Sequence, residues 1–240
     1  MSDTPEDIDR RSRSFFHRLW SSFVSADSYG LVLLLIAVTY ALSVSVTSRW
    51  GASVTLAIQV LTVWLALRTS DARRGFRIVA AILLVLSALI VVVNLLPGNF
   101  SDEHGLVPLA AGVLYLVAPI SIVRHLGARR IIDLETFLGS IAAYLLIGMS
   151  FAFLYAALGV IEPGNFFGAQ GDGKLSQDLF FSFTTLTTTG YGNLVPAANP
   201  GQSMAVAEML IGQLFLITAV AKVVAGWRPK EQRDTTGAQA

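Results

Sequence analysis

Few side chains in this 240-residue sequence are of the kinds that make and break bonds. There is no Cys, and His17, His104 and His125 all fall in tails or between apolar runs. An intramembrane hydrolase needs a nucleophile motif such as Gly-x-Ser-Gly together with a His in the same apolar region; neither is present. Asp102, Glu103 and His104 are adjacent in a polar stretch, which suits solvated loop charge better than a metal site. Gly168 to Lys174 has the glycines and lysine of a phosphate loop, but Leu175 stands where that loop needs Ser or Thr. What remains is a run of uncharged oxygens, Thr185-Leu-Thr-Thr188-Thr189-Gly190-Tyr191-Gly192, and one carboxyl, Glu208, deep in an apolar stretch. Neutral oxygens can replace the water shell of a cation without trapping it. No enzyme and no cofactor is expected.

The elements that must position these residues follow from composition. Apolar residues make up 54% of the chain and charged residues 14%, with a mean hydropathy of +0.63. A soluble chain carries about 25% charge, so a water-covered surface is excluded; the net charge of +1 argues against a nucleic-acid binder. A bilayer core takes about 20 mostly apolar residues per helix. Six stretches qualify, at 29–48, 51–67, 77–97, 106–123, 137–160 and 203–226. They are too long and too continuously apolar for barrel strands, so the expected fold is an all-α membrane protein with six transmembrane helices. The 28 polar residues before the first span mark it as an anchor rather than a cleaved leader.

Charge sets the expected orientation. Arg10, Arg11, Arg13 and Arg18 precede span one; Arg68, Arg73, Arg74 and Arg77 follow span two. Arg124, Arg129 and Arg130 follow span four; Lys222, Arg228, Lys230 and Arg233 close the chain. Only Arg49 and Lys174 fall on the opposite side. Both termini are therefore expected in the cytoplasm, with the protein in the cell membrane. The outer side carries Asp102, Glu103, Glu162, Asp172 and Asp178, taken as solvated loop charges that could also raise the local cation concentration.

Spans five and six are separated by residues 161–202, far more than any other pair, and loops of that length are usually functional. A Gly-rich stretch at 161–173 comes first. Residues 174–187 then predict a short, semi-polar helix, with Ser176 able to cap it and Asp178 in its first turn. At about 14 residues it is too short to span and suits a re-entrant helix. Thr188 to Pro196 follows.

Thr185-Leu-Thr-Thr188-Thr189-Gly190-Tyr191-Gly192 resembles the selectivity-filter signature of potassium channels, T-x-x-T-x-G-Y-G. Its setting is similar too: an apolar span, a short pore helix, the signature, Pro196 shortly after, then an apolar span. The resemblance covers about 137–226; spans one to four match in number alone. It implies that the carbonyls of Thr188, Thr189, Gly190 and Tyr191 hold K+, with Gly192 completing the filter and the Thr188 hydroxyl adding to the innermost ring. The Tyr191 ring would pack behind them. Such filters are built by four chains around one axis, so a homotetramer in the lipid bilayer is implied. Thr185, Phe181, Thr184 and Asn193 would support the filter. Three positions depart from the common pattern: Asn193 stands for Asp, Phe180 and Phe181 for Trp, and Thr184 for Glu.

In span six, Glu208 is costly at that depth unless it has a role; bracing the back of the pore helix is favoured over ligating ions. Gly212 lies 16 residues after Pro196, and matches either the hinge glycine of the inner helix or a small residue for close packing. Span four, Gly105 to Val123, carries no basic residue, so a conventional voltage sensor is not expected.

The resulting organisation is a tail at 1–28, a four-helix peripheral domain at 29–124, a cytoplasmic linker at 125–136, a pore domain at 137–226 and a tail at 227–240. The linker is expected as a short interfacial helix, with Arg129 and Arg130 against Ile131 and Leu134. The function expected is passive, potassium-selective conduction without conventional voltage gating. The alternatives are a potassium-uptake transporter subunit, which would carry four degenerate filters in one chain, and a non-selective cation channel. A gating ligand or regulatory protein is left open.

Overall fold

The computed structural model describes residues 29–45, 49–69, 78, 81, 82, 85, 89, 106–128, 134–162 and 164–226. Both tails, most of span three and the triplet Asp102-Glu103-His104 lie outside the described residues. Among the described residues every regular element is helical: α1 (Tyr29–Ser45), α2 (Arg49–Thr69), α3 (Leu106–Ala128), α4 (Leu134–Ile161), a 3-10 turn (Gly168–Gln170), α5 (Leu175–Leu186) and α6 (Gly201–Gly226).

Three segments are long and apolar enough to cross a membrane: Pro108–Gly127, Glu135–Ile161 and Gly201–Lys222. The protein is accordingly a membrane protein. The expectation of six spans meets two shorter apolar segments, Tyr29–Ser45 and Ala57–Thr69. At 1.5 Å per residue the 17 residues of α1 extend about 26 Å, a little short of a ~30 Å hydrocarbon core. The described residues of span three expose Ile78, Ile82, Val85 and Leu89, an apolar stripe at helical spacing suited to lipid.

Among the described helices, α3 and α4 form the most extensive pair. They run antiparallel, because Gly112 meets Leu154 while Leu126 lies against Gly139. A Cβ on Gly112 would sit 2.8 Å from Leu154 Cγ, and the bare backbone lets Ser150 Oγ donate to the Gly112 carbonyl at 2.6 Å. α1 packs on α2, α4 and α5, and α2 packs on α3, so the peripheral helices lie against the pore segment of their own chain. The Tyr115 hydroxyl donates to Thr39 Oγ1 at 3.3 Å, tying α3 to α1 inside the bundle. Such interhelical bonds in membranes contribute about 0.6–2 kcal/mol.

The linker expected at 125–136 is described only at its two ends. Arg124 to Ala128 continue α3 and Leu134 to Thr136 begin α4, leaving only 129–133 outside the described residues. α3 carries on because its last carbonyls find a partner: Lys222 Nζ, from the end of α6, donates to the Leu126 carbonyl.

Candidate functional site

α5 is a 12-residue helix, about 18 Å long. Lys174 is its N-cap residue, and Gln177 Oε1 accepts the Lys174 N–H at 2.8 Å. Ser176 does not cap: the helix starts at Leu175, which places Ser176 inside the first turn where Gln177 already serves the end. Asp178, Leu179, Phe181, Ser182, Thr185 and Leu186 form its buried stripe. Asp178 is 1% exposed, so it is not a solvated loop charge; helical phase turns it inward with Ser182. Burial pushes its carboxyl up to about 8, and the Asp172 carboxylate pushes the same way.

The position of α5 is fixed at its C-terminal end. The Leu186 carbonyl, free of helical partners there, accepts the Tyr144 hydroxyl at 3.2 Å from the middle of α4. The middle of α6 touches the same carbonyl: a Cβ on Gly212 would lie 2.5 Å from it. α5 therefore descends between the two long helices and stops halfway along them, as a re-entrant helix does.

Four successive backbone N–H groups then turn back on the helix. Thr187 N–H donates to Phe183 O at 3.0 Å, Thr188 to Thr185 O at 2.9 Å, and Thr189 and Gly190 to Thr184 O at 2.8 and 3.1 Å. In a trans peptide the carbonyl of one residue points opposite to the N–H of the next. The carbonyls of Thr187, Thr188 and Thr189 consequently point away from α5. The dihedrals carry the same message: φ is +57° at Thr188, +52° at Gly190 and +77° at Gly192, every second residue. In an extended strand successive carbonyls alternate sides, whereas alternation of handedness brings them to one side. Gly190 and Gly192 meet this requirement without Cβ strain, while Thr188 meets it with a side chain. The strip from Thr187 to Asn193 is exposed in the single chain.

Tyr191 stacks on Phe180 at 5.8 Å between ring centroids, with the planes 11° apart. Phe181 turns the other way, 4.9 Å from Tyr155 and 5.5 Å from Phe167. Thr185 is buried behind the strip, and the Thr184 hydroxyl donates to Phe181 O at 3.0 Å. The Gly-rich stretch holds the far end of the strip. Gln170 Nε2 donates to the Asn193 carbonyl at 2.5 Å, Ala197 N–H to Phe166 O at 2.8 Å, and Phe166 N–H to Asp172 Oδ1 at 2.9 Å. Gln170, Phe166 and Phe167 are contributors that motif reasoning passed over. The signal was an aromatic pair inside a glycine-rich loop, where solvated turns rarely need two Phe.

Glu208 is fully buried in α6. Its Oε2 accepts the Tyr155 hydroxyl at 2.7 Å, and its Oε1 lies 2.5 Å from Ser182 Oγ. One carboxyl thus joins α4, α5 and α6. Tyr155, Ser182 and Tyr144 were not singled out from sequence.

Comparison with known proteins adds one match. Residues 141–225 fit a family model described as ion channel. No curated protein and no solved structure matches the chain. The matched segment begins in α4, takes in the re-entrant helix and the alternating strip, and ends in α6. Over these residues the chain is similar to the ion-channel family.

Proposed function

We propose that the protein is a potassium-selective channel whose filter is the strip Thr188-Thr189-Gly190-Tyr191-Gly192. The observation that carries this reading is the anchoring of the N–H groups of residues 187–190 to α5, with positive φ at every second residue from 188 to 192. It turns the carbonyl oxygens of Thr187, Thr188 and Thr189 to one open side. One chain offers only a strip, and a ring of oxygens needs several. Four copies around an axis close it. The carbonyl end of α5 carries partial negative charge and favours a cation below the filter.

Conduction is passive and runs through the cell membrane, with both termini in the cytoplasm as the basic residues indicate. α3 contains no basic residue before Arg124, so voltage does not gate the pore by moving that helix. Purified protein in liposomes tests the reading: potassium flux should be strong and sodium flux weak, and the mass in detergent should be that of four chains. Equal fluxes would instead make it a non-selective cation channel. Monomers or dimers would rule out the four-fold filter.

A further inference from the structure

Ser182 has one hydroxyl hydrogen and two oxygens within reach. Its Oγ lies 2.7 Å from the Gly148 carbonyl of α4 and 2.5 Å from Glu208 Oε1 of α6. If the hydrogen went to an ionised Glu208, the Gly148 carbonyl would face Oγ at 2.7 Å with no hydrogen between two electron-rich oxygens. If it goes to Gly148, the Glu208 contact needs its own hydrogen, and only the carboxyl can supply one. The Tyr155 hydroxyl donates to the other carboxyl oxygen, Oε2, at 2.7 Å. Every oxygen is satisfied only with the proton on Glu208.

We propose that Glu208 is a neutral carboxylic acid that donates to Ser182, so that Tyr155, Glu208, Ser182 and Gly148 form one directed hydrogen-bonded chain across α4, α6 and α5. Each link polarises the next, and the chain is stronger than its separate bonds. It enters α5 at Ser182, one turn above Leu186, and so fixes the height of the filter that follows. Glu208 is a positioning residue; it touches no ion. No partner of Glu208 is cationic, and an ionised carboxylate sealed there would be an unpaired buried charge. The titratable groups on α4 and α5 are Glu135, Tyr144, Tyr155 and Asp178, none of them positive, and Lys222 stands 14 residues further along α6.

The proposal rests on the potassium-channel reading only for its flux measurement; its proton assignment stands or falls separately. Infrared spectra of the detergent-solubilised full chain and of Glu208→Gln test that assignment. At neutral pH the parent-minus-variant difference should contain one protonated-carboxyl C=O band, apart from that of Asp178, which both proteins keep. Ser182→Ala should keep the Glu208 band but move it to higher frequency, since the carboxyl loses its acceptor. A difference that contains a lost carboxylate band and no lost protonated band overturns the proposal. Glu208→Gln supplies an N–H for Ser182 and an oxygen for Tyr155, so its potassium-over-sodium flux ratio should equal that of the parent. Ser182→Ala removes one link and should lower the ratio about fivefold, the worth of one hydrogen bond. An unchanged ratio in Ser182→Ala would refute the positioning role. Absent selectivity in the parent protein would instead overturn the potassium reading and leave the proton assignment intact.

Discussion

Gly212 crosses the end of the pore helix so closely that a Cβ would stand 2.5 Å from the Leu186 carbonyl oxygen and 2.8 Å from Leu186 Cδ1. Close packing is therefore a property of this glycine whether or not α6 also bends there. Gly212→Ala must push α6 away from α5 at a point where the contact is backbone, which cannot swing aside. The expected cost is about 1–3 kcal/mol, read as a lower thermal midpoint in detergent. A midpoint equal to that of the parent would mean that the two helices are free to separate.

Gly190 adopts φ of +52° with no atom near its missing Cβ, so conformation and not space restricts it. Gly190→Ala should cost about 1–2 kcal/mol per chain and abolish potassium flux into liposomes, with the oligomer intact on a sizing column. Retained selective flux would show that the alternation is not needed for conduction.

Asp178 gives a pH dependence with a definite sign. Folding raises its carboxyl from 3.8 to about 8, so the fold favours the protonated form. Stability from this group is full below its unfolded value, declines as pH rises through the window between the two, and levels off above the upper one. Asp178→Asn, neutral throughout, should be more stable than the parent at alkaline pH and equal to it in acid. Thermal melts of both proteins across that window decide the matter; parallel profiles would mean that Asp178 is ionised without penalty.

Phe180 and Tyr191 form the only stacked ring pair recorded among the described residues, and the pair lies against the filter. Phe180→Leu keeps an apolar side chain but loses the stacking, worth about 0.5–1.5 kcal/mol. A lower potassium-over-sodium flux ratio is expected, with little change in assembly. Phe181→Leu, which loosens the separate cluster around Tyr155 and Phe167, should lower thermal stability more than selectivity. The reverse pattern would exchange the two roles.

Lys222 supplies the hydrogen bond that finishes α3 at Leu126. Lys222→Met should fray that end and cost up to about 1 kcal/mol, whereas Lys222→Arg keeps a donor and should stay close to the parent. Hydrogen exchange at residues 125–128 is the direct readout, and equal protection in Lys222→Met would show that another group caps the helix.

Motif and hydropathy made the pore segment legible. The apolar runs around 137–160 and 203–226 became α4 and α6, each a few residues longer. The signature at 185–192 marked where the chain leaves the helix. Pairing was not legible: nothing local says that Ser182 and Tyr155, 27 residues apart, meet at one carboxyl, since that depends on how three helices cross. Asp178 was misjudged for a related reason. A carboxylate in a polar loop suggests solvent, but helical phase carried it to the buried side of α5. Gln170 carries no local mark of its role, because its side-chain bond to the Asn193 carbonyl depends on a glycine-rich loop folding back over the strip.

Tyr40, in the first helix, meets Phe183 of the pore helix edge-on at 6.1 Å. In the proposed four-chain pore, each chain therefore brings its own buttress to its own quarter. Damage to the peripheral bundle of one copy should weaken one filter wall and spare the other three. In assemblies mixed from sound and defective chains, the loss should then scale with the number of defective copies, and a single one should not silence the whole.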